Sequence, residues 1–71
     1  MKKNKYEIII KEDYIHIINY IDIEDMKENQ IKIQLYNKCI FINGEKLIIT
    51  SLSEEEILIK GIFKGINFLS E

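Results

Sequence analysis

The chain has 71 residues, 46% hydrophobic and 31% charged, with ten lysines against twelve Asp and Glu and a formal net charge of −2. A chain this short is one domain at most and buries about 60% of the surface its unfolded form exposes, so a partner or self-association surface is expected to contribute to stability. The charge balance offers no field that would draw polyanions, and nowhere do about 18 apolar residues run together, which excludes a membrane-spanning helix.

Eighteen residues are Ile, while Val, Ala, Arg, Pro and Trp are absent. An AT-rich coding sequence produces this alphabet without selection, so the lysines do not by themselves mark a nucleic-acid surface. Cys39 is the lone cysteine and cannot close an intrachain disulfide, which points to a reducing compartment or to indifference to redox. Residues 1–5 (MKKNK) read as a disordered basic tail, and no signal peptide follows, because Glu7 and the polar run 11–13 interrupt the apolar stretch after it.

From there the apolar residues alternate with polar ones, and a period of two means strands. Tyr6, Ile8 and Ile10 share one face before the break Lys11-Glu12-Asp13. Ile15 and Ile17, then Ile21 and Ile23, share a second face across Asn19, where a bulge or bend is expected. Residues 22–30 (DIEDMKENQ) are the most charged stretch and read as a loop with room for one helical turn. Ile31, Ile33 and Leu35 alternate with Lys32, Gln34 and Tyr36 as a half-buried strand, closed by a turn at Asn37-Lys38.

Residues 40–49 (IFINGEKLII) carry the Asn-Gly signal of a β-hairpin. A two-residue loop would set Ile42 opposite Glu45. A four-residue loop over 43–46 instead sets Ile42 against Leu47, Phe41 against Ile48 and Ile40 against Ile49, and is preferred because it matches apolar to apolar. Glu54-Glu55-Glu56 follows as an acidic turn. The last run, 57–69, has Ile57 and Ile59 on one parity and Ile62, Ile66 and Phe68 on the other, which places a phase change at Gly61, where a strand bulges or another backbone comes close. The chain is therefore all-β: a single domain over 1–71 of about six to seven short, mostly antiparallel strands forming a roll or compact sandwich. Ile31, Ile33, Ile40, Ile42, Leu47, Ile49, Ile57 and Ile59 are its expected core.

Chemistry is sparse. His16 is the only imidazole and shares a face with Tyr14, Ile18 and Tyr20; a solvated or structural histidine is the plainer reading than a catalytic one, and no spacing joins it to Cys39 as a nucleophile and base. One His, one Cys and scattered carboxylates lack metal-ligand spacing, and Gly44, Gly61 and Gly65 do not form a phosphate loop. Seven Tyr and Phe side chains suit a base-stacking platform, but without Arg and with net negative charge they read as packing residues. No catalytic residue, cofactor site or metal site is expected. What remains is an interaction module.

Residues 40–49, Leu52 and the run 55–68 (EEILIKGIFKGINF) resemble the YabP/YqfC family of sporulation proteins, closest to its YqfC branch. The anchors are Gly44, Glu56 and Gly61 in their mutual spacing, and Ile17-Ile18-Asn19-Tyr20 and Gln30-Ile31-Lys32-Ile33 fall where the family has its earlier strands. Asn37-Lys38-Cys39 stands where the family usually places a glycine. The resemblance covers roughly residues 14 to 69. It implies a small non-enzymatic protein of the mother cell in endospore-forming bacteria, cytoplasmic or peripheral at the forespore membrane, active in spore coat assembly. Its implied partner is a sporulation membrane protein, and a homo-oligomer is also expected. The runner-up from the residues alone is a small β-barrel binding single-stranded nucleic acid, which requires tyrosines and lysines on one continuous face. The candidate interaction surface is Ile62, Phe63, Ile66 and Phe68, with Phe63 the foremost residue for a partner or, equally, a core position on the second face. Asn43, Gly44 and Gly61 are the structural turn or bulge positions.

Overall fold

A computed structural model of the chain describes residues 5–70. It is all-β, with six strands joined in one antiparallel sheet: β1 (Glu7–Ile10), β2 (Tyr14–Ile18), β3 (Asp22–Met26), β4 (Gln30–Leu35), β5 (Lys38–Leu52) and β6 (Glu56–Ser70). The order across the sheet is β1-β2-β6-β5-β4-β3. Of the basic tail expected over 1–5, all but Lys5 lies outside the described residues. The carbonyl of Lys5 accepts a hydrogen bond from Asn19 Nδ2 at 3.0 Å.

Two strands are not short. β5 and β6 have 15 residues each and form a long ribbon whose two arms are clothed differently. The β1–β2 hairpin lies against the start of β6, pairing Ile15 with Ile59 and Ile17 with Ile57. The β3–β4 hairpin lies against the start of β5, pairing Ile31 with Ile42 and Ile33 with Ile40. Two half sheets result: β1, β2 and the near arm of the ribbon, and β3, β4 and the far arm. Ile15, Ile17, Ile33, Ile40, Ile42, Ile57 and Ile59 are fully buried, although the described residues contain no element other than strands to cover them. The halves must therefore face each other, and side chains from both join in one core cluster. The core expected from alternation is contained in this one, with Ile49 at its margin and Ile15, Ile17, Tyr20 and Leu35 added.

The ribbon can bend because its register slips three times, between Asn43 and Gly44, Glu45 and Ile48, and Ile49 and Ser51. This corrects the hairpin expected over 40–49. Residues 43–46 do not close a hairpin; β5 continues through them as a bulged strand, with Lys46 at φ 55, and Ile42 pairs with Ile31 on one side and Ile66 on the other instead of with Leu47. Apolar matching favoured the hairpin, but the through-strand matches Ile42 to isoleucine on both edges and so outbids it. Gly44 is needed for proximity, since a Cβ there would stand 2.0 Å from the Ile62 carbonyl oxygen. The carbonyls of Glu28 and Asn29, in the β3–β4 turn, accept from Leu47 N at 2.8 Å and Gly44 N at 3.1 Å, so the bulged stretch keeps partners for its amides.

Gly61 lies opposite this bulge with φ +147, and a Cβ on it would meet Leu47 Cδ2 and the Lys46 carbonyl oxygen, both at 2.9 Å. The apolar parity does not change there, however. Ile57, Ile59 and Phe63 all pack toward the core, and the step in β6 falls across Lys64, between Phe63 and Gly65. The charged stretch 22–30 is also corrected: its first half is the edge strand β3, because Ile23 reaches the core beside Ile33 while Asp22 and Glu24 stay in water. Asn37, where the resemblance led one to expect glycine, has φ 66, and asparagine is the residue after glycine that tolerates this left-handed turn. At the β5–β6 turn Ser53 Oγ accepts from Glu56 N at 3.1 Å and Ser53 N donates to the Glu56 carbonyl at 2.9 Å, a capping-type pair that closes a hairpin here and starts no helix.

Gly61→Val forces a branched side chain into a positive-φ site against backbone and is expected to destabilise by roughly 1–3 kcal/mol. Gly65 has no atom within 4 Å of a built Cβ, so Gly65→Ala is the control, expected to stay within about 0.5 kcal/mol. Paired thermal melts decide it: equal losses at both positions would mean that the close approach at Gly61 is absent.

Candidate interaction surface

β6 has neighbours on both sides only along its first part, where β2 pairs with it from Tyr14–Lys60 to Ile18–Glu56. Beyond Lys60, residues 62–70 pair with β5 alone, and among the described residues no backbone group meets their other side. This is a long free edge without proline, carrying Lys64 as its one charge. Native edges are normally blunted by shortness, charge or bulges. β1 is short, with four residues, and β3 is acidic and bulged between Ile23 and Asp25. The β6 edge has the single step at Lys64.

The four residues expected to form a surface do not share one. Phe63 and Ile66 turn inward and pack against the core. Ile62 points outward and is 53% exposed; Phe68 follows the inward parity of Ile40 but lies where the sheet ends, and is 50% exposed. Phe63 therefore takes the second of its two expected places, as a core residue. Leu69, not foreseen, is 58% exposed on the outer side beside Phe68. Its signal was present in the sequence: Ile66, Phe68 and Leu69 keep both parities apolar, which a strand with one core-facing side does not need. The free edge is thus flanked by Ile62 and Leu69 on one face and Phe68 on the other. Lys38 Nζ stands 5.9 Å from the Phe68 ring and 5.8 Å from that of Tyr6, so a cation rims the inner side.

The remaining singled-out residues are used locally. His16 Nε2 is 2.9 Å from Glu56 Oε1, tying β2 to the start of β6. Cys39 is buried, with Sγ 2.9 Å from Gln34 Oε1 on the paired strand. Asn43 and Gly44 sit at a register step, and Lys64, the extra residue of β6 at that step, has its Nζ 2.7 Å from Glu45 Oε2. That lysine, as hydrogen-bond donor and then as charge, holds the Glu45 carboxyl below its ordinary range. The four tyrosines are scattered: Tyr20 is in the core with its hydroxyl donating to the Ser53 carbonyl, Tyr6 packs on the core, Tyr14 is half-buried on the outer face and Tyr36 is exposed at the β4–β5 turn. The continuous tyrosine and lysine face that a nucleic-acid barrel requires is not formed. Among the described residues there is no ligand-sized cavity, no convergent metal-ligand group and no helix long and apolar enough to cross a membrane. Comparison with protein-family models, curated proteins and solved structures finds no match.

Two measurements follow from these placements. Phe63→Lys buries a cation against the core and is expected to lower the melting temperature sharply, whereas Ile62→Lys leaves it within about 0.5 kcal/mol of stability; equal melts would overturn the inward placement of Phe63. Because the Glu45 pKa is lowered on folding, the pair with Lys64 contributes above the unfolded value of 4.5 and its contribution is lost as pH falls through the folded one. Glu45→Gln should therefore differ from the parent at pH 6 to 7 and coincide with it near pH 2; a difference that persists in acid excludes the ion pair as its source.

Proposed function

We propose that the chain is a non-enzymatic docking module of the sporulation programme, acting in the mother cell as an assembly protein at or near the forespore membrane, with a sporulation membrane protein as partner. The observation that carries the docking reading is the free β6 edge over 62–70, a nine-residue stretch bonded to β5 on one side and open on the other, flanked by half-exposed Ile62, Phe68 and Leu69. Strand addition to such an edge gives affinity through main-chain hydrogen bonds and selectivity through the flanking side chains. The placement in sporulation rests on the resemblance of residues 14 to 69 to the YabP/YqfC family. Gly44 and Gly61, two anchors of that resemblance, are the positions where the ribbon admits no side chain, which gives their spacing a physical cause.

The test is a fluorescent fusion in a sporulating endospore-former. The signal should collect in the mother cell around the forespore, and Leu69→Lys, on the exposed edge, should disperse it without loss of protein. Uniform signal in both, or expression confined to vegetative cells, would overturn the reading. Salt-dependent binding to oligonucleotides by the purified chain would favour the nucleic-acid alternative instead.

A further inference from the structure

The far half sheet has two free edges, β3 at one side and residues 62–70 of β6 at the other, and the two differ in charge. Asp22, Glu24 and Asp25 make β3 acidic, although Glu24 is 3.1 Å from Lys32 and Asp25 3.7 Å from Lys27; Lys64, which within the chain lies 2.7 Å from Glu45, is the one charge on 62–70. From these edges we infer that the partner of the β6 edge is the β3 edge of a second copy of this chain, so that the far half sheets join side by side and the assembly grows head to tail. The inference deepens the docking reading and rests on it; in a head-to-tail assembly the β6 edge of the terminal copy stays free for the membrane partner.

Direction, face and charge all fit this pairing. The order β3-β4-β5-β6 is antiparallel throughout, so β3 and β6 run in opposite senses, and a second copy set beside the first in the same orientation presents β3 antiparallel to β6. Ile23 pairs with Ile33 and Ile66 with Ile42, so both lie on the core side of the sheet. Setting Ile23 of one copy opposite Ile66 of the other brings Ile21 opposite Phe68. These are the apolar side chains left half exposed at opposite ends of that same face, and each covers the other. The same register sets Asp22 against Asn67, Glu24 against Gly65 and Asp25 against Lys64, with no like charges opposed.

The alternatives are poorer. Two β3 edges together would oppose acid to acid, which is destabilising. Two β6 edges paired about Asn67 would cover Phe68 with Ile66 but leave Ile21 and the acidic edge open. A heterologous contact uses both edges and does not close on itself.

Sedimentation velocity on the full chain tests this at rising concentration and two salt levels. The mass should climb past the dimer without a plateau, and association should weaken by no more than about fivefold between low and high salt, as expected for a single ion pair exposed to solvent. Lys64→Glu disables the β6 edge and Ile21→Lys the β3 edge; both residues are exposed, and circular dichroism checks that each variant is folded. Each should be monomeric alone, and an equimolar mixture should form a one-to-one dimer, since each retains the edge the other lacks. If either variant fails to fold, Lys64→Gln and Ile21→Thr replace them, with association reduced in each. A parent chain that stays monomeric, or one that stops at a dimer unaffected by Ile21→Lys, overturns the pairing. The localisation of the fusion is read separately: a correctly placed protein that remains monomeric sinks this inference and leaves the docking reading standing.

Discussion

A single sheet has two faces, and in this chain nothing but the sheet is present among the described residues to cover either of them. Burial of the isoleucines therefore depends on bending the sheet, and the bend depends on the middle of the β5–β6 ribbon, where Gly44 lies against the Ile62 carbonyl and Gly61 against Lys46 and Leu47. Side chains at these points would push the two arms apart. With the arms held close, the register slips, the ribbon folds, and each arm brings its hairpin over the other. The core is a consequence of two missing methyl groups.

That constraint explains which parts of the fold were legible in the sequence. Alternation gives the face of each residue wherever one face is buried, so Ile31, Ile33, Ile40, Ile42, Ile57 and Ile59 could be placed in the core without knowing the strand order. It does not give where a strand ends. Asn43-Gly44 has the composition of a tight turn, yet Gly44 is outside the positive-φ set and serves a close approach. The same residue type answers two needs, and only the partner strand distinguishes them. Likewise the parity change in β6 was detectable, but glycine attracted the assignment to Gly61 when the step is at Lys64, where a charged side chain stands in solvent. β3 was hidden because this edge strand sends only one apolar side chain, half-buried Ile23, to the core and otherwise carries charge or exposed side chains, so it has the composition of a loop.

For the candidate surface, sequence parity located the strand but not its face. It grouped Ile62, Phe63, Ile66 and Phe68 as residues in excess of one core. The excess is real, but it divides: Phe63 and Ile66 are absorbed where the bent ribbon lets them turn inward, and Ile62, Phe68 and Leu69 are left outside. Which residues are left depends on where β2 begins. Its first residue, Tyr14, pairs with Lys60, and everything later on that side of β6 is uncovered. The length of β2 is set in turn by Lys11-Glu12-Asp13, the polar turn that ends the first hairpin. A local turn signal at residue 11 thus decides the exposure of side chains fifty residues away.

The consequence for function is a matter of where marginal stability is distributed. The near half sheet is tied together by the His16–Glu56 contact and by Tyr20, whose hydroxyl reaches the Ser53 carbonyl at the ribbon's turn. The end of β6 has one strand neighbour and half-exposed apolar side chains, with only the Lys38 ammonium over Phe68 and the exposed Lys64–Glu45 pair beside them. Backbone hydrogen bonds on one side only, in contact with water, make this the segment that opens most easily. A second strand on its free side would supply main-chain bonds and cover Phe68 and Leu69 at once. The segment best placed to bind is therefore also the one whose ordering binding would improve most, so recognition and stabilisation are coupled through the same backbone groups.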